Sequence, residues 1–283
     1  MATDRDLTDR HYVITGANTG IGKETARALA ARGARLTLAC RSESKTQPVI
    51  DELRRATGNE QIGFVALDLA DLASVRACAD ELVRRGGPLH ALINNAGLAG
   101  PRGVTKDGFE LTFGTNHLGH FLLTNRVLPL LEATPGARIV NVSSASHYQA
   151  KAIDWDALRK PTASVTAMKE YAVSKLANVL FTKELARRVP ATKVCAYALH
   201  PGVIASDIWS RRIPRPIAWL MTRFMKSTED GALTTIYCTT APELAGVSGH
   251  YYSDRKDKRP NKLADDAALA AELWKRSEAW TAA

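Results

Sequence analysis

The chain has 283 residues, of which 45% are hydrophobic and 24% are charged, as in an ordinary globular protein. It has no apolar run near the ~18 residues of a membrane span and no secretory signal, so the sequence predicts a soluble cytoplasmic protein. The net charge of +9 is compatible with a nucleic acid or a phosphate-rich small molecule as partner, but without an aromatic–basic RNA or DNA motif we expect no nucleic acid.

Short apolar runs alternate along the chain with longer segments of helical period. The apolar runs predict strands at 11–16, 34–40, 61–69, 89–97, 137–144, 192–202 and 248–253. Strands that alternate with helices predict βαβ units, and nearly continuous apolar strands predict that helices cover both faces of the sheet. The sequence thus predicts a single α/β domain over residues 1–283, with a doubly wound parallel sheet. In such sheets, ligands bind beyond the carboxyl ends of the strands.

The first predicted strand is followed by TGANTGIG, which contains Gly16, Gly20 and Gly22. Glycines allow a close approach of the backbone to a ligand, and the N–H groups that begin the next helix bind anions. A tight strand-to-helix turn needs glycine even without a ligand, and the spacing differs from the common GxGxxG fingerprint. Because the turn opens a series of βαβ units, it predicts a site for a dinucleotide pyrophosphate.

The second predicted strand ends in LTLACRS, in which Arg41 follows Cys40 and no acid occurs before Glu43. An acid at this point bonds the ribose 2′-hydroxyl of NAD, whereas an arginine accommodates the 2′-phosphate of NADP. Arg41 therefore favours NADP(H) over NAD(H), although an ordinary surface arginine would give the same pattern. Lys23 either adds positive charge nearby or is a solvated helix residue.

Tyr171 and Lys175 lie four positions apart in a segment of helical period, so they share one face of the predicted helix. A nearby ammonium lowers the phenol pKa from its usual value of about 10, which suits proton exchange with a carbonyl/alcohol couple. A surface pair with this spacing also arises by chance. Ser144 follows the fifth predicted strand, where its hydroxyl would either bind a substrate oxygen or cap a turn.

Together these motifs resemble the classical short-chain dehydrogenase/reductase family, which has a Rossmann-type fold, over nearly the whole chain. The matching pieces are TGANTGIG (15–22), DL (68–69), NNAG (94–97), Asn116 within TNHLGHF, VSS (142–144), YAVSK (171–175) and HPG (200–202). The stretches LACRS, TNHLGHFLLT, RIVNVSS and SKLANVLF are similar to the retinol dehydrogenase-like branch. That branch generally uses NADP(H) and acts on hydrophobic alcohols, aldehydes and ketones.

The resemblance implies a catalytic role for four residues. Tyr171 would be the general acid/base, and Lys175 would lower its pKa and hold the nicotinamide ribose. Ser144, rather than Ser143, would polarise the substrate oxygen, and Asn116 would support a proton-relay water. The implied cofactor-binding residues are Gly16, Asn18, Thr19, Gly20, Ile21, Gly22, Arg41, Asp68, Leu69, Asn95, Ala96, Gly97, Tyr171, Lys175, Pro201, Gly202 and Val203.

Two segments are expected to shape the substrate side. Ser144 and Tyr171 are 27 positions apart, farther than in compact family members, and the insertion at about 145–168 is expected to reshape one wall of the cleft. Residues 206–227 mix cations with aromatic and aliphatic side chains, which predicts either a substrate-binding lid or an amphipathic helix on the core. This segment also leaves peripheral membrane contact open.

Cysteine and histidine spacing gives no sign of a disulfide framework or a metal. Cys40, Cys78, Cys195 and Cys238 are scattered, which predicts reduced and mostly buried thiols. His117, His120, His147 and His200 show no metal-ligand spacing, so we expect a structural or substrate-wall role for each and no metal site.

The sequence therefore predicts an NADP(H)-dependent oxidoreductase that interconverts a carbonyl and an alcohol on a hydrophobic substrate. Retinal-, steroid- and long-chain-aldehyde-like compounds and xenobiotic or polyketide ketones all fit this class. The alternative is a catalytically weak nucleotide-binding regulator on the same fold, although all four residues of the implied catalytic set are present. Family members commonly pair through two long helices, here around 108–131 and 168–189, which leaves a homo-oligomer open.

Overall fold

The computed structural model describes residues 5–202 and 227–282. The strands are β1 (His11–Thr15), β2 (Arg35–Cys40), β3 (Ile62–Ala66), β4 (Ala91–Asn94), β5 (Ala137–Val142), β6 (Val194–His200), β7 (His250–Ser253) and β8 (Lys256–Asp257). They form one sheet in the order β3-β2-β1-β4-β5-β6-β7-β8. β1 to β7 run parallel to their neighbours, whereas β8 pairs antiparallel with β7.

Helices alternate with these strands. They are α1 (Gly20–Ala31), α2 (Glu43–Thr57), α3 (Leu72–Arg85), α4 (Leu111–Phe113), a π-helical turn (Gly114–Leu118), α5 (Gly119–Glu132), α6 (Met168–Arg188), α7 (Thr228–Thr240) and α8 (Ala267–Thr281). Each of the seven predicted strands is present, and the doubly wound α/β fold is confirmed. The sequence does not predict β8, because two exposed residues form no apolar run.

The hydrophobic core has one part on each face of the sheet. Val75 of α3 and Leu180 of α6 belong to one part, and Leu29 of α1 and Ile50 of α2 belong to the other. The central strand β1 lies between them with all five residues buried. The four cysteines are free and buried, as the sequence predicts.

The order of the strands reverses beside β1. From β1 the chain proceeds outward through β2 to β3, and then returns to β4 on the other side of β1. The loops that follow β1 and β4 therefore diverge and leave a crevice at the carboxyl edge of the sheet. This switch point is where open α/β sheets bind ligands.

The predicted insertion packs against the segment that precedes α4. Leu158 is buried, and its carbonyl accepts a 2.9 Å hydrogen bond from the Glu110 N–H. The Thr162 hydroxyl accepts a 3.1 Å hydrogen bond from the Gly103 N–H and also bonds the Glu110 carboxylate. The insertion is thus fixed at two points to the segment 103–110.

The C-terminal helix α8 covers the face shared by α5 and α6. The Trp274 ring lies 5.0 Å from the Phe121 ring of α5 and 5.7 Å from the Phe181 ring of α6, measured between centroids. The Arg188 guanidinium lies 4.5 Å from the centroid of the same indole. These contacts pack α8 against both α5 and α6.

None of the helices in residues 5–202 and 227–282 is long and apolar enough to cross a membrane. Val203 and residues 206–226, which make up nearly all of the predicted lid, lie outside the described residues.

Candidate active site

The glycine turn after β1 has no room for side chains at two of its positions. Gly16 has φ +64°, and a Cβ there would lie 2.9 Å from the Ala96 Cβ. A Cβ on Gly22 would lie 2.5 Å from Asn95 Nδ2, closer than real Cβ contacts. Gly20 also has a positive φ, +54°. The backbone can therefore pass close beneath a ligand at the beginning of α1.

Asn95 holds this turn in place. Its Nδ2 donates a 2.9 Å hydrogen bond to the Thr15 carbonyl. The backbone N–H groups of Asn95 and Ala96 both donate to the Thr15 hydroxyl, at 3.0 and 2.9 Å. Asn95, one of the predicted cofactor residues, thus connects the loop after β4 to the turn after β1.

A cavity of about 440 Å³ runs along the carboxyl edge of the sheet above β1, β2 and β3. Predicted cofactor residues that line it are Gly16, Asn18, Thr19, Arg41, Asp68, Leu69, Ala96 and Gly97. Its lining also includes residues that the sequence analysis does not single out, among them Ser42, Lys45, Leu98 and Thr115. Gly20, Ile21 and Gly22 form the first turn of α1 beside it.

The three predicted or observed cations near the cofactor cavity, Lys23, Arg41 and Lys45, differ in whether they form ion pairs. Lys23 forms an ion pair with Glu52 of α2 at 2.7 Å, and Glu52 also pairs with Arg27. Arg41 and Lys45 are exposed and line the cavity. Within the described ranges, neither of these two forms an ion pair. Lys45 could have been found from the sequence, because it lies four positions after Arg41, in the first turn of the next helix.

Asp68 and Leu69 follow β3, and Pro201 and Gly202 follow β6. Leu69 is also a packing residue, because its carbonyl oxygen would lie 2.6 Å from a Cβ at Gly119. Gly202 has φ +100°, a conformation that favours glycine. These four predicted residues thus lie at the edge where the strands end.

Asn116 lies in the π-helical turn that precedes α5. The turn is widened because the Gly119 N–H bonds the Gly114 carbonyl, five residues back. The Asn116 side chain accepts from the Leu98 N–H at 2.9 Å and donates to the Leu98 carbonyl at 3.0 Å. Such π turns are frequent at functional sites, and this one fixes Asn116 against the loop after β4.

A buried histidine connects Asn116 to the glycine turn. His120 Nδ1 lies 3.0 Å from the Asn116 carbonyl oxygen, and His120 Nε2 lies 2.9 Å from the Thr15 hydroxyl. Since a carbonyl only accepts, Nδ1 carries the proton and Nε2 accepts from Thr15. Burial lowers the pKa of His120 to about 4, so the ring is neutral.

Lys175 meets Asn116 and the loop after β4. A Cβ on Gly97 would lie 3.3 Å from both Lys175 Nζ and Asn116 Oδ1. The ammonium is buried and donates a 2.9 Å hydrogen bond to the Val142 carbonyl. Burial lowers the pKa of Lys175 to about 8.

The two serines after β5 have different environments. Ser143 is buried, and its hydroxyl donates to the Lys175 carbonyl at 2.7 Å. Ser144 is partly exposed, and its hydroxyl accepts from the Ser146 N–H at 3.2 Å. The Ser144 side chain is therefore the one available to a ligand, because Ser143 is used to hold β5 to α6.

Tyr171 lies between Ser144 and Lys175. Burial raises the pKa of Tyr171, and a hydrogen bond with the Ser144 hydroxyl opposes this rise. Lys175 Nζ lies 5.7 Å from the centroid of the phenol ring. The Ser144 hydrogen bond thus acts on the pKa of Tyr171 in the same direction as the effect that the sequence assigns to the Lys175 charge.

Comparison with known proteins agrees with this arrangement. The family model for "short chain dehydrogenase" matches residues 10–155, which is more than half of the chain. The chain belongs to the short-chain dehydrogenase family. It is an oxidoreductase by that membership, and the family uses nicotinamide cofactors. The strict glycine positions and the cavity beside Arg41 fit such a cofactor.

Curated relatives of this short-chain dehydrogenase include retinol dehydrogenases. Mouse retinol dehydrogenase 12 is 45% identical over 274 residues, which cover 96% of this chain and 86% of the relative. Human retinol dehydrogenase 13 is 43% identical over 276 residues, which cover 94% of this chain and 82% of the relative. The resemblance to the retinol dehydrogenase-like branch is confirmed. A crystal structure of an uncharacterized protein from Mycobacterium paratuberculosis is similar with a TM-score of 0.78 and 36% identity, over 99% of this chain and 97% of that one.

Proposed function

We propose that this short-chain dehydrogenase is NADP(H)-dependent and interconverts a carbonyl and an alcohol on a hydrophobic substrate. One observation carries the proposal. Lys175 Nζ lies beside Gly97, which lines the cavity, and Tyr171, one helical turn before Lys175, bonds the Ser144 hydroxyl. Arg41 lines the same cavity. A dinucleotide with its phosphate end at Arg41 would extend toward the tyrosine.

The proton would be exchanged at the Tyr171 hydroxyl. In reduction, the phenol donates its proton to the oxygen of the substrate carbonyl, and in oxidation the phenolate accepts the alcohol proton. The phenol is protonated at neutral pH, and the Ser144 hydrogen bond favours donation because it opposes the rise in pKa that burial causes. The Ser144 hydroxyl would bind the same substrate oxygen, and the Lys175 charge would stabilise the phenolate. A bound nicotinamide would supply or accept the hydride.

The preference for NADP(H) rests on the charge beside the end of β2. Arg41 and Lys45 line the cavity, and no acid follows β2 before Glu43. A guanidinium binds phosphate oxygens in a forked geometry, whereas a 2′-hydroxyl offers no charge to pair with it. NADP(H) would therefore gain an interaction between its 2′-phosphate and Arg41 that NAD(H) lacks.

The substrate class rests on the relatives. The names of mouse retinol dehydrogenase 12 and human retinol dehydrogenase 13 refer to retinol, an apolar alcohol. For this chain we propose the broader class of retinal-, steroid- or long-chain-aldehyde-like compounds, with xenobiotic and polyketide ketones included. All of them join a reactive carbonyl to a large apolar group.

The test follows the nicotinamide absorbance with NADPH or NADH and a panel of carbonyl compounds. The panel contains all-trans-retinal, decanal, a steroid ketone and a quinone. We expect turnover of at least one compound, faster with NADPH than with NADH. Tight NADPH binding without turnover of any compound would favour the alternative function, a nucleotide-binding regulator. The cytoplasmic location stays a prediction, which fractionation of cells that express the full chain would test.

A further inference from the structure

A buried imidazole ties the loop that carries Ser144 to the C-terminal part of the chain. His147 lies in the 3₁₀ turn Ala145–Gln149, directly after Ser144, and is fully buried. Its Nδ1 lies 2.6 Å from the Ser144 carbonyl oxygen. Its Nε2 lies 3.0 Å from the backbone nitrogen of Asn261, which is 114 positions later in the chain. The mechanism proposed above makes no use of this histidine.

The two partners fix the tautomer of His147. The Asn261 N–H can only donate, so Nε2 must carry the lone pair that accepts. The Ser144 carbonyl can only accept, so Nδ1 must carry the proton. Burial lowers the pKa of His147, which keeps the ring neutral at neutral pH. The Nδ1–H group therefore donates its hydrogen bond to the Ser144 carbonyl.

Among the described residues, His147 donates two hydrogen bonds to the Ser144 carbonyl. The backbone N–H of His147 donates to it at 3.1 Å, in addition to the ring Nδ1–H. These two donors restrict the rotation of the peptide that follows Ser144. This fixes the rotation about the Cα–C bond of Ser144 and so the direction of its Cα–Cβ bond. The hydroxyl at the end of that bond is held by the Ser146 N–H, which donates to it at 3.2 Å.

The imidazole is held from the other side by Asn261 and by an aromatic ring. The Asn261 side-chain amide donates to the carbonyls of His147 and Ala150, at 2.8 Å each. The centroid of the Tyr251 ring on β7 lies 4.8 Å from that of His147. The two bonds from the Asn261 amide hold the backbone of the turn. Rotation of the imidazole would break its hydrogen bond from the Asn261 N–H and its contact with Tyr251, so the donor at Nδ1 is held in place.

We propose that His147 is a positioning residue whose Nδ1–H directs the Ser144 hydroxyl toward Tyr171. This inference rests on the proposed function, in which those two hydroxyls bind the same substrate oxygen. The proton at Nδ1 then matters for catalysis, whereas the lone pair at Nε2 serves only to hold the ring.

Two substitutions separate these two ring atoms. In His147→Asn, the amide nitrogen lies the same number of bonds from Cβ as Nδ1, so it can still donate to the Ser144 carbonyl. In His147→Gln, the amide oxygen lies as far from Cβ as Nε2, so it can accept from Asn261 but leaves that carbonyl without the donor. Tyr148→Phe is the matched control, because Tyr148 bonds the Arg259 carbonyl and so links the same turn to the same C-terminal segment.

The first measurement is NADPH-dependent turnover of the best compound of the panel. We expect His147→Gln to lower kcat about tenfold or more, in line with the loss of one positioning hydrogen bond. His147→Asn should keep most of the activity, and Tyr148→Phe should behave as the parent protein does. If His147→Gln stays active while His147→Asn loses activity, the residue only connects the two segments and the proposal is wrong.

The second measurement needs no turnover and so separates this inference from the proposed function. The pKa of Tyr171 is obtained from the difference between alkaline titrations of each protein and its Tyr171→Phe counterpart. Since the Ser144 hydroxyl lowers this pKa, His147→Gln should raise it as Ser144→Ala does, and His147→Asn should not. Nitrogen NMR should find the proton of neutral His147 on Nδ1. A proton on Nε2, or an unchanged Tyr171 pKa in His147→Gln, would overturn the inference even in an active enzyme.

Discussion

The Lys175 ammonium donates a 2.9 Å hydrogen bond to the carbonyl of Val142, the last residue of β5. Ser144 follows two positions later, and Tyr171 lies one helical turn before Lys175 on α6. This contact therefore joins the strand and the helix that carry the proposed catalytic side chains. The buried position of Lys175 also makes its charge sensitive to pH.

Carbonyl reduction should lose efficiency as the pH rises through about 8. Burial lowers the pKa of Lys175 to about 8, so the ammonium is charged below this pH and neutral above it. Only the charged form stabilises the phenolate that remains after proton donation. The measurement is kcat/KM for NADPH-dependent reduction as a function of pH, which reports ionisations of the free enzyme.

The control for this profile is Lys175→Arg, which keeps its charge throughout the range. It should lower kcat/KM at neutral pH, because the forked guanidinium does not fit the site, but the decline near pH 8 should disappear. A decline that persists unchanged in Lys175→Arg would show that another group causes it.

Arg41→Asp should weaken the binding of NADPH about 10- to 100-fold, the effect expected when a charged hydrogen bond is lost and an anion is introduced. NADH binding should change little, because its 2′-hydroxyl carries no charge. The measurement is the dissociation constant of each cofactor by titration. Arg55→Asp is the matched control, since Arg55 is also exposed, lies on α2 and does not line the cavity. Equal losses for both cofactors would refute the selective role of Arg41.

Lys45, not Lys23, should be the second cation that favours NADPH. Lys45→Ala should weaken NADPH binding, with a smaller loss than Arg41→Asp because no negative charge is added. Lys23→Ala should leave the NADPH affinity nearly unchanged, because Lys23 already pairs with Glu52. The same titrations test this order, and a larger effect at Lys23 would reverse it.

Gly22→Ala should damage the glycine turn. The new Cβ would lie 2.5 Å from Asn95 Nδ2 and 2.6 Å from the Gly16 carbonyl oxygen, so the backbone has to move. We expect a loss of about 1–3 kcal/mol of unfolding free energy, together with weaker cofactor binding. Gly63→Ala is the control, because a Cβ at Gly63 would meet nothing within 4 Å. Denaturant unfolding measures both variants, and equal stability of the two would contradict the steric account.

The strand pattern of this chain could be read from its sequence. The strands that the sequence predicts are buried runs, which an uninterrupted series of apolar residues reveals. The glycine turn, Arg41 and the Tyr171–Lys175 pair were also visible, because each depends on residues close together in the chain. The sequence does not predict strand β8, because this strand consists of two exposed residues and contains no apolar run.

The contacts that orient the site could not be read in the same way. His147 and Asn261 lie 114 positions apart, and only the fold brings them together. The pairing of Lys23 with Glu52 likewise depends on how α1 packs against α2. Sequence motifs identified the groups that would carry the chemistry, whereas the tautomers, the ion pairs and the packing of α8 required the structure.

The most direct test of the central claim is the NADPH-dependent reduction of the best panel compound by Tyr171→Phe. The phenylalanine keeps the aromatic ring and removes only the hydroxyl that is proposed to donate the proton. We predict that turnover falls to the background rate while the dissociation constant of NADPH stays within about twofold of the parent value. A Tyr171→Phe variant that reduces the substrate as fast as the parent protein would contradict the proposed mechanism.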